Sequence, residues 1–465
     1  MTKILYSTII VLILLAGAGI ISSCKKNFLD KKPSTNLVVP SSLEDFQALL
    51  DNDNVMRETP ELGELSTDDY YLPNVFWQGL DAKEQNAYIW AKDLYGGQGN
   101  VDDWNLPYQQ VFYANVVLEG LPKLTADSGG DAQGWKALKG AALFIRAYAF
   151  YNLAQVFAPV FDKNISAADD KLGIPLRLHS DINLVSVRST VKDTYAQILS
   201  DLNAASGLLP VAIPTANRNR PSKPAALAML ARVYLSMGNY GQAGIYADSC
   251  LNFYNKLIDY NILSPLSPFP FSRTNLETMY QSRLLTSSQV LVALAVPDCI
   301  VDSILYRSYA ANDLRSTVFY TTNPVTGLSN IKGSYNGQLY PFSGLATDEV
   351  YLIRAECAAR AGNIPSALND LDTLLVNRWK KGSFVPVTAS DGAAALDSVL
   401  LERRKELAFR GVRWTDLRRL NKEGAGDTLI RKLNGQTYQL LPNGPRYVLS
   451  IPPDVLRLSG IPDNP

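Results

Sequence analysis

Two stretches 124 residues apart repeat one pattern, and it constrains the fold of this 465-residue chain more than any other feature. Residues 227–250 and 351–374 each carry an apolar stripe, a Gly-Asn stop, and a second run marked by an alanine five residues after the glycine. In the first copy Leu227, Leu230, Ala231, Tyr234 and Leu235 fall at i, i+3, i+4, i+7 and i+8, one face of an amphipathic helix. Gly238-Asn239 and Gly362-Asn363 end the first helix of each pair, and Ala243 and Ala367 open the second. Small side chains at Ala231, Ala243, Ala355 and Ala367 let two antiparallel helices approach closely. A weaker third copy starts in 135–157, where Ala141, Ala142, Ile145, Ala149 and Leu153 share a face, and continues into 191–209. Each pair leaves an apolar face bare, so the copies must pack on one another or on the segments between them.

Such a pair resembles the tetratricopeptide helix-turn-helix. The expected fold is therefore mostly α, with a helix-pair scaffold at about 132–262 and 347–420. Between these blocks, 263–346 is rich in proline, serine, threonine and glycine, and only Gln289 to Val296 (QVLVALAV) reads as a strand. A long irregular insertion in a helical scaffold is usually functional or disordered, and the aromatic residues of this one argue for order.

The N-terminus sets the compartment. Lys3 precedes eighteen uncharged residues, 4–21, and the run ends Ser22-Ser23-Cys24. A basic start, an apolar run and small residues before the cut describe a secretory signal, and a cysteine at the first mature position resembles a bacterial lipoprotein signal. Residues 1–23 are thus read as the signal peptide and Cys24 as the lipidation site. The rival, a retained transmembrane helix, has eighteen residues including Gly17 and Gly19, short of the roughly 20 that span a bilayer. The polar stretch 25–36 suits a tether, with Phe28 and Leu29 available to dock on the body. Without Lys3 the mature chain balances 43 basic against 44 acidic side chains, which gives no electrostatic footprint for nucleic acid. Cys250, Cys299 and Cys357 are an odd number and make no complete disulfide framework, although one bridge among them is open.

Residues 400–419 read LLERRKELAFRGVRWTDLRR. This resembles the signature of the SusD/RagB family, a helix ending near E-L-x-F-E-G followed by R-W-x-D-L-x-R. The resemblance extends to Cys24, the helix pair at 351–379, the segment WNLPYQQVFYANVVLEGL at 104–121, and Tyr447-Val448-Leu449-Ser450-Ile451-Pro452. It implies one SusD-like domain over 24–465, held on the extracellular face of the outer membrane, that captures glycans for a SusC-like TonB-dependent transporter. Arg410 departs from the pattern, standing where the family usually has glutamate. Glu402 and Glu406 lie one turn apart on a helix face, and the arginines after Gly411, Arg413 and Arg418 among them, are placed to fold back onto them. A structural clasp is the expected role of this segment, because buried arginine pairs fix geometry more than they add stability.

Ligand contacts are expected from 40–120 and from the insertion, following the resemblance. Eleven aromatic residues fall in 66–113, among them Trp77, Trp90 and Trp104. Trp104 sits in a helix-forming segment and reads as core. Trp77 and Tyr70 lie near Asp68, Asp69, Asn74 and Gln78 in a turn-rich stretch, where a sugar's C–H face would rest on a ring while its hydroxyls bond to the polar groups. The insertion offers Tyr280, Asn312, Arg315, Phe319 and Tyr320, with Asp313, Tyr335 and Tyr340 beside them. Peptide cargo, and an adaptor role through the repeat face, stand as alternatives. Enzymatic readings are poorly supplied: His179 is the only histidine, and the acidic pairs 68–69, 102–103 and 169–170 are sequence neighbours that seldom face one substrate across a cleft. No His/Cys cluster has metal-ligand spacing and no twelve-residue calcium loop is present, so neither a cofactor nor a metal is expected.

Overall fold

Thr190, Ser222, Asn239, Asn363 and Asp391 each stand just before a helix and accept a backbone N–H from its first turn, satisfying donors that have no partner within the helix. The computed structural model describes residues 40–124, 131–166, 170–292 and 298–465. Cys24, the signal peptide, the tether and residues 293–296 of the expected strand lie outside those residues.

Among the described residues nine helices build the scaffold: α1 (Asp102–Gly120), α2 (Ala132–Phe157), α3 (Val191–Leu208), α4 (Lys223–Ser236), α5 (Tyr240–Phe253), α6 (Thr347–Arg360), α7 (Ile364–Leu375), α8 (Gly392–Glu406) and α9 (Arg413–Lys422). The expected pairs are α4–α5 and α6–α7, and the weaker copy is α2–α3. From α1 to α7 successive helices pack side by side, with α5 against α6 joining two pairs, α8 covering α6 and α9 returning to α4. Gly238 (φ 68°) and Gly362 (φ 75°) make the two turns in the left-handed region that glycine adopts without strain. Ala231, Ala243, Ala355 and Ala367 have no exposed surface. Gly244 lies so close to α6 that an added Cβ would stand 3.2 Å from the Cys357 Cβ. Leu352, Leu371, Leu374 and Val399 are fully buried between α6, α7 and α8, each contributing about 1.5–3 kcal/mol. Trp104 is core, its ring edge-on to Phe157 at 5.1 Å. Among the described residues no helix is long and apolar enough to cross a membrane. Cys250, Cys299 and Cys357 are free and buried.

The insertion differs from expectation. Residues 289–292 form bends, not a strand. Short strands appear where the insertion meets distant chain. Arg283–Leu284 pairs in parallel with Glu58–Thr59, and Ile300–Val301 pairs antiparallel with Tyr70–Tyr71. Thr278–Tyr280 pairs with Leu345–Ala346, and Tyr320–Thr322 with Ser329–Ile331. Two residues of β propensity are too few to show a period of 2, and their pairing is set by the partner strand. The first two ribbons sew the insertion to the N-terminal region and so position the site, while the other two close the insertion on itself.

Candidate functional site

The ribbon Tyr70–Tyr71 with Ile300–Val301 joins the two segments expected to face a ligand, and Asp302 N donates to Asp69 O at 2.8 Å to close it. Beyond Tyr71 comes the helix Asn74–Gly79, none of whose six residues is buried. Val75 is 82% exposed. Trp77 is half-buried, its Nε1 donating to Gln85 O at 3.1 Å, so the indole is fixed with part of its surface open to solvent. Asn74 Oδ1 accepts Asn434 N at 3.0 Å, and Gln78 is exposed. Beyond Val301 comes the helix Ser303–Arg307, which carries Ile304, 73% exposed, and half-buried Tyr306. Tyr306 packs edge-on against Tyr320 at 5.7 Å. Asn312 is exposed, and Phe319 is half-buried against the aromatic cluster of Tyr260 and Phe271. An anchored indole with Asn74 and Gln78 on the same short helix offers a flat apolar face plus directional donors and acceptors.

Six other expected ligand residues are inside the body instead, and Asp68 is half-buried in ion pairs. Tyr70 is 1% exposed and donates through its hydroxyl to Leu65 O at 2.7 Å. Trp90 is buried with a left-handed backbone (φ 56°), its Nε1 donating to Ser66 O at 2.9 Å and the Arg431 guanidinium over its ring. Tyr280 stacks edge-on with Phe144 and Tyr148 in the core, and Tyr320 bonds Tyr309 through their hydroxyls at 3.0 Å. Asp68 takes both guanidinium arms of Arg413 at 2.8 Å and pairs with Arg404 at 3.0 Å. Burial pushes the Asp68 carboxyl up, but Arg413 and Arg404 outweigh that and hold it below the usual carboxylate range. Asp69 has no exposed surface, and burial pushes its carboxyl up to about 6. Arg315, also fully buried, is the hub of an ion-pair network: Asp313 at 2.7 Å, Glu402 at 2.5 Å and Glu406 at 3.0 Å. None of the six buried residues offers a ligand a free face, and the Asp68 carboxylate is taken up by Arg413 and Arg404.

The signature segment is a clasp, with partners other than those expected. Glu402 and Glu406 pair with Arg315, Lys405 and Arg378 rather than with the arginines after Gly411. Arg413 reaches Asp68, Arg403 takes Asp416 at 2.8 Å, and Arg418 donates to the carbonyls of Gln155 and Ala158 at the end of α2. Arg410 pairs with Asp348 at 2.9 Å and lies over the rings of Tyr335 and Phe342. Glu277, Asp348 and Glu406 bring carboxylate oxygens within 4.8 Å of one another. Arg378 bonds to two of these groups and Arg410 to the third, so cations of the chain already fill the cluster. His179 is exposed and bonds to Glu119 at 3.2 Å. Two open clefts lie elsewhere, about 860 Å³ between α5 and α7 and about 750 Å³ beside Arg418 and Tyr447, and no expected ligand residue lines either.

Tyr306, Ile304 and the hairpin Leu429–Leu433 with Gln436–Leu440 escaped the sequence reading. Asn434-Gly435, both left-handed, marks that hairpin, and its Arg431 donates to the carbonyls of Tyr70 and Thr67. An Asn-Gly pair between alternating runs is a strong local hairpin signal.

Residues 27–235 match a family model described as starch-binding and associating with the outer membrane, and residues 316–448 match the model of the SusD family. The chain belongs to the SusD/RagB family. Within SusD/RagB it is similar to SusD-like protein P2 of Formosa agariphila, 26% identical over an alignment covering 78% of this chain and 79% of the relative. A SusD superfamily structure from Bacteroides thetaiotaomicron superposes with a TM-score of 0.73 at 21% identity, covering 91% of this chain and 100% of the other. A structure described as a laminarin-binding SusD-like protein gives a TM-score of 0.63 at 20% identity, covering 90% and 97%. At those identities the likeness shows the SusD fold.

Proposed function

We propose that this SusD/RagB protein is a surface lipoprotein, acylated at Cys24, that captures an oligosaccharide and passes it to a SusC-like TonB-dependent transporter in the outer membrane. The observation that carries the reading is Trp77: an indole pinned by Gln85, partly open to solvent, on a helix with no buried residue and with Asn74 and Gln78 around it. Asn312, Phe319 and Tyr306, exposed or half-buried on the insertion, are the further candidate contacts. The laminarin-binding description of a relative with this fold supports a sugar over a peptide. Lipid anchoring holds the protein beside its transporter and makes the second contact effectively intramolecular, so modest sugar affinity suffices.

The test is calorimetric titration of a panel of oligosaccharides and peptides into wild type and Trp77→Ala. A stacked ring contributes about 0.5–1.5 kcal/mol beyond burial, so Trp77→Ala should weaken sugar binding roughly 2–12-fold with little change in melting temperature. Binding of peptides alone, or sugar affinity indifferent to Trp77, would refute the reading. Loss of sugar uptake on deleting the partner transporter gene is the expected cellular counterpart.

A further inference from the structure

Residues 181–187 expose four aliphatic side chains in seven positions: Ile182 (76%), Leu184 (47%), Val185 (82%) and Val187 (71%). A cluster of that kind on a water-facing loop marks an interaction surface. Arg177 and Asp181 fix the loop's shape. Arg177 donates to Asp181 O at 2.8 Å, Leu184 O at 3.2 Å and Ser186 Oγ at 2.7 Å. Asp181 Oδ1 accepts the Asn183 N–H at 2.9 Å and its side-chain amide at 3.0 Å. The carbonyls of Asp181 and Leu184 turn toward Arg177 while the apolar side chains stand exposed.

The loop is held to the end of α1. Glu119 bonds to Ser180 N at 3.2 Å and to His179, and Asn115 donates to Arg177 O at 2.9 Å. Phe112, 37% exposed, shares that helix stripe with Asn115 and Glu119. The next residue, Gly120, is where the chain enters the body: Phe46, in the first turn of the helix Leu43–Leu50, lies so close that a Cβ on Gly120 would stand 2.2 Å from its Cζ. The apolar loop and the entry point from Cys24 therefore sit on neighbouring residues of one helix end. Seventeen residues lie between Cys24 and Ser42, eighteen Cα steps that span at most about 65 Å.

We infer that residues 182–187 are a second membrane contact, dipping into the hydrocarbon edge of the lipid surface that the acylated Cys24 occupies. The inference rests on the lipoprotein reading above. Lipid is favoured over a protein partner by the residue types. All four tips are aliphatic, and the tryptophan, tyrosine and free arginine that dominate protein-interface hot spots are missing from the loop. The family model's description, associating with the outer membrane, agrees with such a surface.

The experiment uses the full, acylated chain bearing Val185→Cys with a polarity-sensitive fluorophore. Cys250, Cys299 and Cys357 are buried, so the label goes to one site. The protein is reconstituted into vesicles of phosphatidylethanolamine and phosphatidylglycerol with brominated acyl chains, and a label at exposed Val385 serves as control. The expected result is a blue shift and quenching of at least about half the emission at 185, from a side chain about 5–10 Å inside the boundary, with neither at 385. Flotation with the vesicles but no shift at 185 overturns the inference and leaves the anchor standing. A shift at 185 that needs added barrel transporter also overturns it, in favour of a protein contact. Failure to float, with no acyl mass at the N-terminus, overturns both.

Discussion

Replacing Arg315 by methionine tests whether the insertion's arginine is a structural hub or a ligand contact. The wild-type guanidinium has no exposed surface and serves Asp313, Glu402 and Glu406, which are 0%, 13% and 0% exposed. Removing one partner of a buried ion pair costs about 3–5 kcal/mol, because the other charge stays behind. Here the lower end applies, since each stranded carboxylate keeps one cation: Lys405 remains 3.1 Å from Asp313 and 2.7 Å from Glu402, and Arg378 stays 2.7 Å from Glu406. Unfolding entropy of about 2.1 cal/mol/K per residue gives the body Ser42–Pro465 about 0.9 kcal/mol/K, so ~3 kcal/mol lowers Tm by about 3 °C. Thermal unfolding followed by circular dichroism measures this directly. The deficit should also shrink as pH falls. In wild type, burial pushes Asp313 up but Arg315 outweighs it and holds the carboxyl down, so its contribution is present above the unfolded pKa and lost as pH falls through the folded one. Without Arg315 the carboxyl moves up, and protonation relieves the strain. A Tm within 1 °C of wild type combined with lost sugar binding would refute the hub and return Arg315 to the ligand face.

Arg410→Glu, which restores the residue usual in the family, places a carboxylate against fully buried Asp348; it should cost about 3–5 kcal/mol in urea unfolding, while Arg410→Glu with Asp348→Arg recovers part of the loss. Gly120→Ala drives a Cβ into buried Phe46 and should cost about 1–3 kcal/mol, less a helix-propensity gain of about 1, read as a lower Tm. Burial, with Asp103 beside it, pushes Glu61 up to about 8, and burial pushes Asp69 up to about 6. Both folded pKa values lie above the unfolded ones, so the stability these two groups contribute is fully present below about pH 4 to 4.5 and is lost as pH rises through 6 and 8; Glu61→Gln should flatten the upper part of the urea-midpoint profile.

The aromatic residues show where sequence reasoning ran out. Tyr70 and Trp77 sit seven positions apart in one turn-rich stretch, yet one is sealed under Arg431 and the other half-open. Arg431 lies 361 residues from the Tyr70 carbonyl it holds, and no local pattern encodes that meeting. Likewise the clasp was legible as a clasp, because clustered arginines and carboxylates on one helix must find partners. Its actual partners, Asp68 for Arg413 and Asp348 for Arg410, come from segments 345 and 62 positions away.

Helices, their caps and their turns were determined by the sequence alone, since i to i+4 contacts, capping side chains and left-handed glycines act within a few residues. Family membership was equally readable, because the signature at 400–419 is a contiguous string. Which rings and charges face water was decided only in the tertiary structure. Burial depends on what distant chain covers a side chain, and two-residue ribbons such as Tyr70–Tyr71 with Ile300–Val301 exist only once both strands have been carried together by the scaffold.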